Sequence, residues 1–308
     1  VTPSGALSWQ FLADGLVAGA TIGIGAIGVT LTYSILRFAN FAHGEFMSIG
    51  CYLSLAIAGA CGMWLPASRE SLGDFSVSWG LIAAALLAVP LTGLLALGLD
   101  ALLFRPLRTR GTAISAVIAS FGASLALRAL LELIFSSRPR YFTVDLQIAL
   151  PLAWGVRATP DQLALVGLAA IVVVALHLLV TRTGAGRAMR AVSENPTLAR
   201  VVGIDVAQVI RLTWVLGAGL AAIAGVLLGL VVQIRPSMGA ELLLPLFAAA
   251  ILGGVGSIPG ALVGGLIVGV AEAATVQFAG AEWRAAVAFL VLIGVLLVRP
   301  TGLFGRRE

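Results

Sequence analysis

The chemistry open to this chain is narrowed first by a missing residue type. All 19 basic residues are Arg, and no Lys occurs in 308 residues. A P-loop needs a Lys to reach the phosphates, and Schiff-base catalysis needs a Lys amine. Both are excluded. No HExxH or GxSxG pattern occurs, which removes the zinc proteases and hydrolases built on them. Cys51 and Cys61 share one expected helix, roughly 15 Å apart along its axis. That is too far for a disulfide, so they read as small apolar packers.

The remaining polar groups are few and placed in apolar surroundings. In Arg37-Phe-Ala-Asn-Phe-Ala-His-Gly-Glu-Phe46, Arg37, Asn40, His43 and Glu45 interrupt an apolar stretch at an expected cytoplasmic turn. Such groups are satisfied internally or meet water. Two readings stand: a capped turn in which Asn40 or His43 bonds freed backbone, or a functional element, either a gate or a contact with a cytoplasmic partner. One His and one Glu at this spacing make no metal ligand set. Arg128 and Glu132 lie four apart within another apolar run, on one helix face. They either neutralise each other as an intramembrane ion pair or line a polar path. Glu272 has no obvious partner in sequence and is expected near the outer boundary.

The elements that carry these residues follow from composition. The chain is 60% hydrophobic and 11% charged, with a mean hydropathy of +1.06. Soluble domains are closer to half apolar and a quarter charged. These values exclude a disordered chain, a collagen and a water-soluble enzyme, and point to an all-α, polytopic membrane helical bundle. Apolar runs cover about 9–36, 46–62, 79–104, 112–135, 162–180, 206–232, 242–252, 261–276 and 283–298. That gives about eight or nine membrane segments, including short, broken or re-entrant ones. The run at 242–252 is too short for a simple span, and non-helical backbone at that depth needs cover from protein or a water-filled cavity. Residues 1–8 carry no basic region, so no cleavable signal is evident. Gly15, Gly19 and Gly23, with the pairs Gly225/Gly229 and Gly260/Gly264, recur at four-residue spacing. They read as close helix packing within the chain, or as a subunit contact. The first and sixth runs are both long and rich in small residues; no repeat is read from that alone.

Arg placement sets direction. Arg105, Arg108 and Arg110 fall in one loop, Arg182, Arg187, Arg190 and Arg200 in another, and Arg299, Arg306 and Arg307 in the tail. Cytoplasmic loops carry such an excess. The N-terminus is then outside and the C-terminus inside. The loop at 136–160, with Arg138, Arg140 and Arg157 against Asp145, becomes external.

The second loop is the most informative stretch. Asn195-Pro196 is a helix start, with Asn as N-cap and Pro in the first position. Gly203 can end that helix through a left-handed cap, and Asp205 can cap the next span. Arg187, Arg190, Glu194 and Arg200 alternate with Met189, Val192, Leu198 and Val201. The result is either an amphipathic helix on the lipid surface or a knob that docks into a soluble partner. A third segment, Phe247-Ala-Ala-Ala-Ile-Leu-Gly-Gly-Val-Gly-Ser-Ile-Pro-Gly260, cannot be plain helix. Gly253, Gly254, Gly256, Pro259 and Gly260 make a tight turn or unwound element there.

Together these segments resemble the bacterial branched-chain amino acid ABC permeases. Leu36 through Phe46 is similar to that family's early signature. Thr183 through Pro196, with Ala199-Arg-Val-Val-Gly-Ile204, is similar to its cytoplasmic coupling loop. Leu252 through Gly265 is similar to its late Gly-rich motif, and Phe104-Arg-Pro-Leu-Arg108 also matches. Order and length resemble the H-type subunit. The resemblance implies one integral-membrane permease domain over 1–308, with a coupling loop at 181–205 contributed by Arg187, Arg190, Glu194, Asn195, Pro196, Arg200 and Gly203. It implies a second, M-type permease, two cytoplasmic ATPase subunits and a periplasmic binding protein in a bacterial inner membrane. No cofactor is expected in this chain; ATP and Mg would be bound by the partner subunits.

Two function classes stand beside each other: the permease driven by separate ATPases that the resemblance implies, and a self-contained carrier or channel. A proton-coupled carrier tends to hold an acidic or His relay within its spans; here Glu132 and Glu272 are the candidates. Within the resemblance, importers of urea, amides or aromatic acids use similar permeases. The path is expected to be lined by small and apolar residues with few charges, leaving selection mainly to the binding protein.

Overall fold

The computed structural model describes residues 9–65, 68, 70–73, 75–143, 147–152, 155–299 and 301–305. The expectations for residues 1–8, Asp145, Arg306 and Arg307 lie outside the described residues, as does the Arg110 side chain. The helices are α1 (Gln10–Leu36), α2 (His43–Trp64), α3 (Trp79–Leu99), α4 (Arg105–Arg110), α5 (Ala113–Phe135), α6 (Pro160–Arg182), α7 (Gly184–Glu194), α8 (Pro196–Val201), α9 (Val206–Val231), α10 (Met238–Gly253), α11 (Ile258–Phe278) and α12 (Arg284–Val298). A π-helical turn at Asp100–Phe104 joins α3 to α4. Two short strands, β1 (Leu150–Pro151) and β2 (Arg157–Ala158), pair antiparallel in the loop before α6. Among the described residues, eight helices are long and apolar enough to cross a membrane, and α10 is a shorter apolar one.

In lipid, helices associate through close packing and hydrogen bonds, because the surrounding tails are as apolar as Leu. The Gly spacings do this work within the chain. Gly15, Gly19 and Gly23 lie directly against the α11 backbone at Val270, Leu266 and Leu262. Gly225 lies on Met47 of α2, and Gly264 on Ala249 of α10. Any side chain there would force the helices apart. Cys51 is buried, Cys61 is partly buried, and both are free.

The pattern of neighbours contains an internal symmetry that the sequence conceals. α2 packs on α9 as α10 packs on α1. α3 packs on α2 and α9 as α11 packs on α10 and α1, while α5 touches α2 as α12 touches α10. Each half is thus a long helix, an extended return, a helix that starts deep, and two more helices, and the second half runs in the opposite direction. The two halves meet where Gly44 and Gly239 face each other, backbone on backbone.

That meeting point corrects the expected turn at 37–42. The His43 ring bonds the Gly25 carbonyl at 3.2 Å, and Gly25 lies about 16 Å along α1 from its end at Leu36. The chain therefore re-enters the bundle after Leu36, and α2 begins deep inside it rather than at a boundary. The short run expected at 46–62 is in fact the longer His43–Trp64. Its polar start breaks the apolar pattern because protein covers it. From the other end, residues 232–237 return in the same manner. Arg140 and Ile234 exchange backbone hydrogen bonds of 3.0 and 2.8 Å. Ser48 Oγ donates to the Pro236 carbonyl at 3.1 Å and accepts from the Gly239 N–H at 3.0 Å. The broken element expected around 242–252 is α10, with Pro245 inside it.

The Gly-rich element is a tight corner between α10 and α11. Gly254 and Gly256 have φ of 97° and 87°, a region costly for any side chain. The tail folds over the corner: Leu303 N–H bonds the Leu252 carbonyl at 2.8 Å, and Phe304 N–H bonds that of Gly253 at 3.1 Å. Pro259 sits in the first turn of α11, and Gly260 packs on Gly253.

Candidate functional site

The loop at 182–205 is built from defined stops. Thr183 Oγ1 accepts from Gly186 N–H and starts α7. Asn195 ends α7 and caps α8, its Oδ1 accepting from Thr197 and Leu198 N–H at 3.0 Å each. Such a cap contributes ~1 kcal/mol. Gly203, at φ 85°, closes α8: Ile204 N–H reaches the Ala199 carbonyl at 2.9 Å and Gly203 N–H that of Arg200 at 3.0 Å. This paired 6→1 and 5→2 arrangement is a Schellman stop. Asp205 then caps α9 through Ala207 and Gln208.

The apolar residues of the loop divide rather than share a face. Met189 and Val192 are buried against the bundle, whereas Leu198, Val201 and Val202 are 60%, 79% and 67% exposed. Arg187, Glu194 and Arg200 are exposed around them. α7 is the anchor and α8 the knob. Arg190 donates to the Val180 carbonyl, tying α7 back to α6.

The two polar segments expected separately meet here. Arg37 Nη2 donates to the carbonyls of Ser193 at 3.0 Å and Glu194 at 3.1 Å, at the end of α7. A cation is favoured at a helix C-terminus, where carbonyls lack partners. Arg37 itself sits at φ 57°, the left-handed cap of α1, so the residue that turns the chain inward also grips the loop.

Beyond Arg37, the re-entrant segment is clamped from several sides. Asn40 Oδ1 accepts from Ala42 N–H at 3.1 Å. Phe41 N–H donates to Ser120 Oγ on α5 at 3.1 Å. The Phe41 ring meets Phe121 of α5 and Phe247 of α10, with centroids 6.1 and 5.7 Å apart. Phe38 and Phe104 lie 5.3 Å apart, and Phe104 stacks on Trp214 at 5.0 Å. Phe104-Arg-Pro-Leu-Arg108 thus plugs the π turn into the core, and Arg108 forks onto Asp100 at 2.5 and 2.9 Å. Glu45, fully buried, takes a hydrogen bond from Ser124 Oγ of α5 at 3.2 Å. It stands in the first turn of α2, where negative charge is favoured. Of the readings for this segment, Asn40 caps the turn through the Ala42 N–H, whereas His43 bonds a carbonyl within α1, that of Gly25; the gate reading concerns motion.

Arg128 and Glu132 form their ion pair at 3.7 Å, with side chains 33% and 47% exposed. They lie on an open face of α5 rather than within the packed bundle. Glu272 does have a partner, contrary to expectation: Arg284 Nε lies 2.8 Å from its Oε2. The partner sits on α12, twelve residues away, where sequence spacing offers no signal. This pair borders a cavity of about 410 Å³ near the start of α1, with Asp14, Phe11 and Gln162 in its wall.

The comparisons with known proteins bear on these elements together. Residues 11–296 match the family described as branched-chain amino acid transport system / permease component. The chain belongs to this permease family. The permease is 36% identical over 305 residues to the high-affinity branched-chain amino acid transport system permease protein LivH of Salmonella typhimurium, covering 97% of this chain and 96% of that one. It is 36% identical over 304 residues to BraD of Pseudomonas aeruginosa, at the same coverages. A probable LivH of Methanocaldococcus jannaschii is 27% identical, covering 91% and 87%. In fold, the permease resembles PsaBC from Streptococcus pneumoniae in complex with Fab: TM-score 0.50, 14% identity, 96% of this chain and 95% of that chain covered. With its eight candidate spans, the permease is a multi-pass helical membrane protein.

Proposed function

We propose that this permease forms half of the path by which an ABC importer carries branched-chain amino acids across a bacterial inner membrane. The path is completed by a second permease, a periplasmic binding protein delivers the substrate, and two cytoplasmic ATPases drive the cycle. The substrate reading rests on the full-length relationship to LivH and BraD. ATP and Mg belong to the ATPase subunits; this chain has no Lys for a P-loop.

The observation that carries the drive mechanism is the knob at 182–205. Its exposed Leu198, Val201 and Val202 form an apolar tip suited to a groove in a soluble partner, rimmed by Arg187, Glu194 and Arg200. Its base is fixed to the re-entrant segment through Arg37. Movement of the tip is therefore passed to 37–42, which holds Asn40 and where Phe41 closes on Phe121 and Phe247, and on to His43 and Glu45 at the start of α2. ATPase motion shifts the permease only if the partner binds its two arrangements unequally. Rigid stops at Asn195, Pro196 and Gly203 keep that difference from being lost in a soft loop.

The test is reconstitution with the partner permease, ATPases and binding protein in proteoliposomes. ATP-dependent leucine uptake and co-purification of the ATPase are expected. Replacing Glu194 and Arg200 together, or inserting Gly residues beside Gly203, should release the ATPase or uncouple hydrolysis from uptake. Normal assembly and uptake in both variants would overturn the coupling role. Uptake without any ATPase would point to a self-contained carrier.

A further inference from the structure

α5 carries a polar stripe that its place in the fold does not require. Ser120, Ser124, Arg128 and Glu132 recur every fourth residue, so they follow one another up one side of the helix. The matching helix of the second half, α12, is apolar throughout after Arg284. Glu45 is equally unprompted: counted from the facing pair Gly44 and Gly239, its counterpart in α10 is Ala240. The fold has thus placed polar groups on both sides of the α2–α5 seam and none at the equivalent α10–α12 seam positions.

The seam is graded from end to end. At its base Phe41, Phe121 and Phe247 close together, beside Ser120. Above them Ser124 holds one oxygen of Glu45, while Glu45 Oε2 is buried without a hydrogen-bond partner among the described residues. Higher up are Arg128 and Glu132, about one and two helical turns beyond Ser124 and partly exposed at the open face of α5. Lipid is a poor neighbour for that pair, because charges facing hydrocarbon are costly and normally face a bundle interior or water.

We infer that the α2–α5 seam is this chain's wall of the solute path, and that Glu45, Arg128 and Glu132 contact the two charged ends of a zwitterionic α-amino acid. This rests on the proposed importer function and names the contacts within it. An α-amino acid carries an ammonium and a carboxylate that must leave water together. Arg128 and Glu132 can open their long 3.7 Å contact, Arg128 taking the carboxylate and Glu132 the ammonium. Glu45 Oε2 supplies the next acceptor for the ammonium nearer the aromatic closure. Binding at each step is weak, as passage requires.

The assembled importer tests this with radiolabelled leucine as the probe. Glu45→Gln keeps size and the Ser124 hydrogen bond. It should lower leucine uptake per ATP hydrolysed at least tenfold, while binding-protein-stimulated hydrolysis persists. The exposed double variant Arg128→Gln/Glu132→Gln should do the same, and decides the matter if Glu45→Gln fails to assemble. The exchanged pair Arg128→Glu/Glu132→Arg separates a path from a strut: a structural ion pair predicts wild-type uptake, whereas a path loses it because an acid then faces Glu45. Uptake per ATP within twofold of wild type in the double variant, or full uptake in the exchanged pair, overturns the inference. Ser124→Cys adds a readout independent of solute identity: a small water-soluble thiol reagent should modify it, above the level of the unsubstituted chain, in at least one nucleotide state. No modification in any state also overturns it. A wild-type importer that takes up no leucine, yet shows a reactive Ser124→Cys, would fail the substrate reading and keep the path.

Discussion

Arg37 closes α1 in a left-handed conformation and spans 156 residues of sequence to bind the Ser193 carbonyl, reaching that of Glu194 as well. One side chain therefore joins the re-entrant segment to the end of α7. The two substitutions Arg37→Gly and Arg37→Ala separate its tasks. Gly keeps the positive φ at little cost but removes the guanidinium. It should leave the assembled amount near wild type while lowering uptake per ATP by about tenfold, roughly 1.4 kcal/mol of coupling. Ala should lose the same coupling and also lower thermal stability. Equal uptake per ATP in wild type and Arg37→Gly would remove Arg37 from the transmission.

At the crossing of the two halves, Gly44 and Gly239 leave no room for a Cβ on either side. Gly44→Ala and Gly239→Ala should each destabilise the permease by about 1–3 kcal/mol, the usual range for overpacking. Thermal unfolding in detergent measures this. Gly167→Ala is the control: it meets open space within α6, and its midpoint should stay put.

Orientation is readable from accessible cysteines. The Arg-rich segments 105–110 and 182–200 gather at one end of the bundle, because α3 and α9 run antiparallel with Val89 on Gly219 and Val215 on Gly93. That end is expected to be cytoplasmic. Arg108→Cys and Arg190→Cys should resist an impermeant reagent in intact cells and react in inverted vesicles. Reaction from outside at either position would reverse the assignment.

The exposed tip of the knob gives a sharper partner test. Leu198→Ser, Val201→Ser and Val202→Ser together remove an apolar patch without touching a buried contact. The permease should remain in the membrane at normal levels, and ATPase recovered in pull-downs should fall at least tenfold. Unchanged recovery would place the ATPase contact elsewhere.

The sequence by itself determined the elements and supplies an expectation for their orientation. Long apolar runs can only be helices in lipid, since every backbone group must find its partner locally, and Arg segregation follows the translocation bias. It also determined the stops at Asn195, Pro196 and Gly203, because caps are made by residues within a few positions of each other. Tertiary structure decided everything that depends on distant partners. The turn at 37–42 looked superficial because its polar residues match a boundary; only packing against Gly25, Ser120 and Phe247 shows it buried. The inverted halves escaped the sequence because packing symmetry constrains where helices touch, and many small or apolar residues satisfy the same contact. Glu272 looked alone because its Arg284 lies on the next helix. The stripe on α5 was visible as Arg128 and Glu132, yet its opposition to Glu45 needed α2 and α5, separated in sequence by α3 and α4, to pack together. Local hydrogen bonding is written in neighbouring residues; depth and juxtaposition are properties of the packed chain.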